Sequence, residues 1–524
     1  MAEFDINNLA ELGLVKDIPG FQLPPEGFTL ALNGRFDRDG FTTGPWWDDA
    51  FTPSVAPYFL MGLKSPVLET WIIYTSLLKA YVFDGTTHSD ITRTVGGDYG
   101  ASFARDWNGC VLGGVPILNN GTDVPQFWSA FAGATPLANL TNWPAATTAR
   151  VMRAFGPNLV AFDVTKAGTQ YGAMVKWSHP ADPGGLPSSW DETDETLDAG
   201  ETDLTDDFGG PILDALQLHD AMIVYKGGST FLMRRVGGPF IFQFDQLFTM
   251  SGLLARRCVA TTGDGDSHFV ATEDDVIVHD GNRLRSICDR RMRRTVFNAI
   301  DVTNYRNSFC FANPSVREMW FCYPETGETQ PTRALVWNYG AGSHEQGVLY
   351  EQEVNFQCST IADLPSASTA WDTDSQAWDD DNATWDTSER RKALIGNPTA
   401  TKVHVLELGT DRDGVASTST LQREHLGFLG RRHTGEPIVD FRKRKFLRRI
   451  WVKAEGSAFN VRVGTAEFPQ DTVTWEDPVE FDPSTDDYVD FLCSGSSISV
   501  EFSGTGQWKV FGYTLEFAKA GRFP

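Results

Sequence analysis

The sequence predicts an all-β protein, a β-sandwich or an irregular β-propeller, with a second β-region towards the C-terminus and long inserted loops. Two observations carry that expectation. Short apolar runs recur along most of the chain, separated by polar or glycine turns such as Lys226-Gly227-Gly228-Ser229 and Glu273-Asp274-Asp275. The composition, with 36 Phe, 16 Trp, 49 Gly and 27 Pro in 524 residues, favours strands and turns over long helices. No clean repeat of about 40–45 residues emerges, so the blades are expected to be unequal.

Residues 1–45 read as an extended N-terminal arm. Pro19, Pro24, Pro25 and Gly27 punctuate it, and GFTLALNGRF alternates like a single strand. Residues 46–359 read as the propeller. Its expected strands include Thr70–Thr75, Leu78–Phe83, Leu159–Val164, Tyr171–Trp177, Ala221–Tyr225, Thr230–Arg235, Val276–His279 and Met319–Tyr323. An acidic insertion interrupts them at about 178–210. Residues 360–400, rich in Ala, Ser, Thr and Asp, read as a second inserted loop. Residues 401–524 read as the C-terminal β domain. Its last stretch, SISVEFSGTGQWKVFGYTLEF, is expected to form a hairpin around Gly504-Thr505-Gly506.

Charge excludes one function class. The formal net charge is −25. A protein that grips nucleic acid over its whole surface needs the opposite sign, because affinity comes from neutralising phosphates. Repulsion of a passing polyanion, or solubility, fits better. The seven cysteines are odd in number and form no CxxC pair, which points to reduced thiols and not to a zinc site or a disulfide framework. The first residues, MAEFDINNLAEL, lack the basic and apolar regions of a signal peptide. The longest apolar run, near 71–83, is too short to span a bilayer.

Two segments without Lys or Arg hold the sharpest signal. The first carries Trp190 followed by Asp191, Glu192, Asp194, Glu195, Asp198, Glu201, Asp203, Asp206 and Asp207. The second carries three Trp-Asp pairs, Trp371-Asp372, Trp378-Asp379 and Trp385-Asp386, with Asp374, Asp380 and Asp381 between them. These acids are candidate channel or tip groups, where fixed carboxylates would keep DNA from adhering. A solvated surface loop is the plainer reading, since charge runs usually are that. The seven-residue Trp-Asp spacing is neither a WD repeat nor a coiled-coil heptad. Asp372, Asp374 and Gln376 begin like a calcium loop, but Ala377 replaces the glycine such a loop requires.

Basic residues cluster in two places. One group is Arg285, Arg290, Arg291, Arg293 and Arg294. The other includes Arg442, Lys443, Arg444, Lys445, Arg448 and Arg449, which are candidate subunit contacts. Direct phosphate contact is the rival use. Catalytic signatures do not surface: the sequence has no HExxH, GxSxG, P-loop or dinucleotide fingerprint, and no pair of carboxylates stands out among so many acids. No metal or cofactor is expected.

Four stretches together carry a family resemblance. They are GGPILDALQLHDAMIVYKGGSTFLMRRVGG (Gly209–Gly238), SHFVATEDDVIVHDGNRLRSICDRRMRRTVF (Ser267–Phe297), REMWFCYPETGE (Arg317–Glu328) followed by TRALVWNYG (Thr332–Gly340), and the terminal stretch quoted above. In this order they resemble the tail nozzle, or tail tubular, proteins of short-tailed bacteriophages. The resemblance implies a virion structural protein and not an enzyme, built as an irregular β-propeller with an additional C-terminal β-sandwich-like domain and long inserted loops that close the tip. It implies a homo-oligomeric ring, usually of six copies, below the portal and adaptor, with fibres or spikes around it. It also implies a central channel that retains and then conducts phage DNA, in a tail assembled in the host cytoplasm. The alternative from another class is a virion-surface glycan-binding module or depolymerase, with Trp371, Trp378 and Trp385 as stacking platforms for sugar rings.

Overall fold

The computed structural model describes residues 2–129, 131–133, 135–238, 240–342, 346–364, 391–431, 437–439, 443–468 and 470–522. Its described residues form seven four-stranded antiparallel units in chain order, the layout of propeller blades. Blades 1 to 5 cover 59–90, 108–139, 147–203, 212–249 and 259–286. Blade 6 covers 309–353. Blade 7 is Cys358–Ala362, Lys392–Asn397 and Lys402–Leu406, completed by Trp47–Phe51 from near the N-terminus. From blade 2 round to blade 1, the first strand of each blade packs on the first strand of the next, so these strands line the axis. The ring is therefore shut by a strand borrowed from the other end of the propeller sequence.

The middle strands explain why the fold was readable. Ala221–Lys226, Val276–His279 and Glu318–Tyr323 are buried along their whole length. A blade is covered on both faces by its neighbours, so its central strands read as unbroken apolar runs and not as alternations. Blade starts are unequally spaced because blade 3 carries the acidic insertion between Thr169–Trp177 and Gly200–Asp203.

A β-sandwich is built onto blade 6. The outermost strand of that blade, Val348–Glu353, continues through Leu30–Leu32 into Ser419–Leu426, Ser497–Gly504 and Phe459–Ala466, giving one ten-stranded sheet. Opposite lies a six-stranded sheet of Tyr488–Gly495, Lys443–Gly456, Trp508–Arg522, Gly40–Thr43 and Gly34–Asp37, with Ala2–Ile6 paired to Trp508–Arg522. Phe36, Phe41, Phe459, Val461, Phe502, Trp508 and Leu515 are buried in the same apolar cluster as the cores of blades 5 and 6.

Three expectations change. The stretch at 1–45 is not an extended arm: it supplies strands to both sheets, and Phe4, Ile6, Phe28, Phe36 and Phe41 are buried. Three buried guanidiniums tie it down through uncharged oxygens. Arg423 donates to the carbonyls of Gly20 (2.8 Å) and Leu23 (2.9 Å), Arg291 to that of Leu12 (2.7 Å), and Arg412 to Asn33 Oδ1 (3.0 Å). Burial pushes each of these arginines down to about 10, outweighing the carboxylates near Arg412 and Arg423.

The loop expected over 360–400 is in part a blade: Lys392–Asn397 and Lys402–Leu406 belong to blade 7, so the boundary expected at 400/401 falls inside the propeller. The expected terminal hairpin is a crossing between sheets. Ser497–Gly504 lies in the ten-stranded sheet and Trp508–Arg522 in the six-stranded one, and the two face each other across the core. A short helix, Arg293–Ala299, starts at the end of the first basic cluster.

Candidate functional site

The acidic insertion divides into two kinds of carboxylate. Asp191 accepts the backbone N–H and hydroxyl of Thr193 (2.9 and 2.6 Å), and Asp194 does the same with Thr196 (3.0 and 2.6 Å). These local turns hold both acids below the usual carboxylate range. Asp191, Glu195 and Asp203 face outward, and Asp194 is half-exposed.

Glu192 and Glu201 instead converge on Lys176, whose side chain is 1% exposed; Glu201 Oε2 lies 3.1 Å from its Nζ. Lys166 also joins both glutamates. Asp206 pairs with the buried Lys226 at 2.7 Å. Lys176 and Lys226 flank the stretch Ser178–Tyr225, which holds no Lys or Arg. The strand Gly200–Asp203 is the outer edge of blade 3, far from the axis. Trp190 is buried edge-on against Trp143, with centroids 4.7 Å apart, and anchors the insertion to its blade. Trp371, Asp372, Asp374, Trp378, Asp379, Asp380, Asp381, Trp385 and Asp386 lie outside the described residues, as does Arg442.

The second basic cluster is split by strand alternation. Along Lys443–Gly456, Lys445, Leu447 and Ile450 face the core, while a bulge between Leu447 and Arg449 leaves both Arg448 and Arg449 outside. Lys445 points inward, is fully buried, and donates to the Ser496 carbonyl, so it is no surface contact. Arg444 reaches Glu467 at 2.5 Å, and Arg448 is exposed near Glu516. Lys443 lies in the same strand, paired to Arg522.

Arg449 is the centre of the outer face. It bonds Asp490 (2.7 Å), and its guanidinium lies 3.6 Å from the Tyr488 ring centroid and 5.5 Å from that of Trp451. Phe446 and Leu492 extend this patch, Leu492 being 80% exposed. The strand Tyr488–Gly495 is the edge of its sheet.

Two of the cavities among the described residues bear on function. Between the innermost strands of the propeller lies one of 150 Å³, lined by Phe59, Arg153, Asp214 and Phe309 among others, with Arg153 bonded to Asp214 at 2.5 Å. A duplex, whose major groove alone is about 12 Å wide, does not fit it.

The larger cavity, 730 Å³, opens where the connections between blades 1–2, 3–4, 4–5 and 5–6 meet; its lining includes Phe103, Arg150, Asp163, Phe208, Arg256 and Tyr305. Asp163 is buried at a bulge in blade 3 with a left-handed backbone (φ 52°), and both its oxygens accept from Gln170 Nε2 (2.7 and 3.0 Å). Burial raises its carboxyl above the usual range. Arg150 donates to the Ala104 carbonyl at 2.8 Å; burial, then the like charge of Arg256, lowers it. Arg256 pairs with Asp106. A strained, buried acid in the 730 Å³ cavity is a site signature. Sequence reading missed it because these residues come from separate blades.

One trio among the described residues, Asp49, His404 and Asp413, brings three possible metal-donor atoms within 4.8 Å of one another. Asp49 and His404 face each other across the strand pair that closes the ring. All seven cysteines are free, and six are buried. No described helix is long and apolar enough to cross a membrane.

No protein-family model matches the chain, and no curated protein does. Solved structures that overlay on it share little sequence. PorZ, a surface component of the type-IX secretion system of Porphyromonas gingivalis, is 8% identical with a TM-score of 0.36 over 73% of this chain. The chain spans 43% of that protein's length. The WD40 β-propeller domain of Doa1 is 9% identical with a TM-score of 0.36, covering 69% of this chain and 97% of that one. A putative 6-phosphogluconolactonase from Bacteroides fragilis is 10% identical with a TM-score of 0.35, covering 72% and 92%. None of these three is described as a phage tail component.

Proposed function

We infer that the protein is a non-enzymatic structural subunit of a ring-shaped conduit for phage DNA, the tail nozzle role that the sequence resemblance implies. The observation that carries the reading is the outward face of the six-stranded sheet. Trp451, Tyr488, Phe446 and Leu492 surround Arg449 there, beside an open sheet edge. Aromatic residues and arginine grouped this way have the composition of an interface centre. The exposed acids Asp191, Glu195 and Asp203 offer a neighbouring copy a complementary surface.

The conduit would lie between copies and not along the propeller axis, where Arg153 and Asp214 meet. A net charge of −25 per copy suits a wall that DNA must pass without sticking. The ring would be a homo-hexamer in the virion tail, held between the adaptor and portal complex and the fibres or spikes.

Light scattering and negative-stain imaging of the full chain test this. A six-membered ring is expected, and Arg449→Glu with Trp451→Ala should shift it to monomer. A chain that stays monomeric alone and with its adaptor sinks the reading.

A second reading, a glycan-binding module, draws on the 730 Å³ cavity. Phe103, Phe208 and Tyr305 offer ring faces beside Asp163, Gln170 and Arg150, a mixture that suits sugars. Saturable binding of host lipopolysaccharide or capsule fragments, lost in Phe208→Ala, would favour it.

A further inference from the structure

The seam that closes the propeller brings together residues far apart in sequence. Trp47–Phe51 pairs with Lys402–Leu406, and the register slips between Val403 and His404. Such a bulge re-aims the side chain that follows it. Asp413, in a left-handed conformation (φ 56°), is held over the same seam by its backbone N–H, which donates to the Trp47 carbonyl at 2.8 Å. Three chain segments therefore deliver Asp49, His404 and Asp413 to one point.

The unusual member is His404. Its side chain is 1% exposed, and neither ring nitrogen makes a hydrogen bond. Nδ1 lies 3.0 Å from Asp49 Oδ1, directed into the cluster but outside hydrogen-bond geometry. A buried imidazole whose Nδ1 has only a poorly aligned carboxylate beside it and whose Nε2 makes no hydrogen bond is under-satisfied, and a metal ion is one of the few groups that would use its lone pair here.

The carboxylates are ready for a cation, since Lys402 Nζ lies 2.9 Å from Asp49 Oδ2 and 2.6 Å from Asp413 Oδ1. The lysine is the rival occupant. It brings one charge where a divalent ion brings two, and it leaves the imidazole unsatisfied. Its side chain is 31% exposed on a flexible stem, so it can turn out to water.

We propose that Asp49, His404 and Asp413 form a zinc site that clamps the closing strand of the propeller, with Lys402 displaced into solvent and water completing the shell. One imidazole and two carboxylates suit Zn²⁺ better than the hard, all-oxygen preference of Ca²⁺ or Mg²⁺. Donors about 2.0–2.2 Å from a tetrahedral zinc stand roughly 3.4 Å apart. The trio, already within 4.8 Å, closes onto the ion with side-chain rotation. The site goes beyond the assembly role and does not depend on it.

The test uses the full chain, stripped with a chelator and titrated with zinc chloride by calorimetry, with melting followed in parallel. Expected is one saturable equivalent, a raised Tm, and loss of both in Asp413→Asn and in His404→Gln. Lys402→Met should bind at least tenfold more tightly, because the competing charge is gone. Asp413 is partly exposed, so Asp413→Asn keeps the test sound if His404→Gln fails to fold. Absence of saturable zinc binding in the wild type overturns the proposal. So does equal zinc binding by the wild type and Asp413→Asn.

Discussion

Arg35 and Glu318 meet through two parallel hydrogen bonds, Nε to Oε1 at 2.6 Å and a terminal nitrogen to Oε2 at 3.1 Å. The other side of the same guanidinium grips Glu407 at 2.9 and 2.6 Å. Arg35 belongs to the sandwich, Glu318 to blade 6, and Glu407 follows the last strand of blade 7. One cation thus binds three parts of the molecule. Burial raises Glu318 above the usual carboxyl range; it acts on Glu407 too, but the hydrogen bonds and charge of Arg35 outweigh it and hold that group low.

Replacing Arg35 strands two carboxylates in the interior. Removing one partner of a buried ion pair costs about 3–5 kcal/mol. Arg35→Met should lower stability by about that amount. Guanidinium titration of the variant should show the midpoint falling, and a midpoint within error of the wild type would contradict the claim that this cluster joins the units.

A second expectation concerns acid. Tyr225 bridges His268 Nδ1 (2.8 Å) and His279 Nε2 (2.7 Å), all three buried where blade 4 meets blade 5. The outer nitrogens are used as well: His268 Nε2 faces the Gln217 carbonyl at 3.1 Å, and His279 Nδ1 accepts from the Gly281 N–H at 3.3 Å. The chain is satisfied only when both rings are neutral. Burial pushes His268 down to about 4 and His279 to about 3; His219 and Asp280 are lesser charged neighbours.

The folded state therefore resists protons that the unfolded chain takes up near 6.5. The stability is present above that value and is lost as pH falls toward 4. By pH 5 each ring should cost about 2 kcal/mol. Melting followed from pH 7 to 5 should show a steep fall that the double variant His268→Gln with His279→Gln flattens.

Lys176 gives a third. Its ammonium is buried, while Glu192 and Glu201, about a third and a quarter exposed, can rehydrate. Lys176→Met should cost roughly 1–3 kcal/mol, less than a fully buried pair. It should also loosen the insertion, so proteolysis near 191–199 should quicken while the far blades stay resistant.

Much of this architecture was legible because burial on both faces writes itself as an unbroken apolar run. Thr70–Thr75 and Val276–His279 begin and end where the sequence places them. Alternation is weaker evidence, since it tells which residues share a face and not which sheet they join. Ile498 and Leu515 point into one core from opposite sheets, which is why that segment reads as a hairpin.

The N-terminal segment looks loose because its proline and glycine turns are local, while Phe36 and Phe41 meet partners such as Tyr350 and Trp508 hundreds of residues away. A basic run likewise reads as surface until the pleat turns Lys445 inward. The cavity around Asp163 and the Asp49–His404–Asp413 trio had no sequence signature, because folding alone brings those segments together.

The borrowed strand Trp47–Phe51 sets an order of events during synthesis. It leaves the ribosome early, yet its partner Lys402–Leu406 appears only after most of the 524 residues have been made. Until then the nascent chain presents unpaired strand edges, the kind of surface on which chaperones act. A truncated product ending before residue 402 would lack the strand with which Trp47–Phe51 pairs.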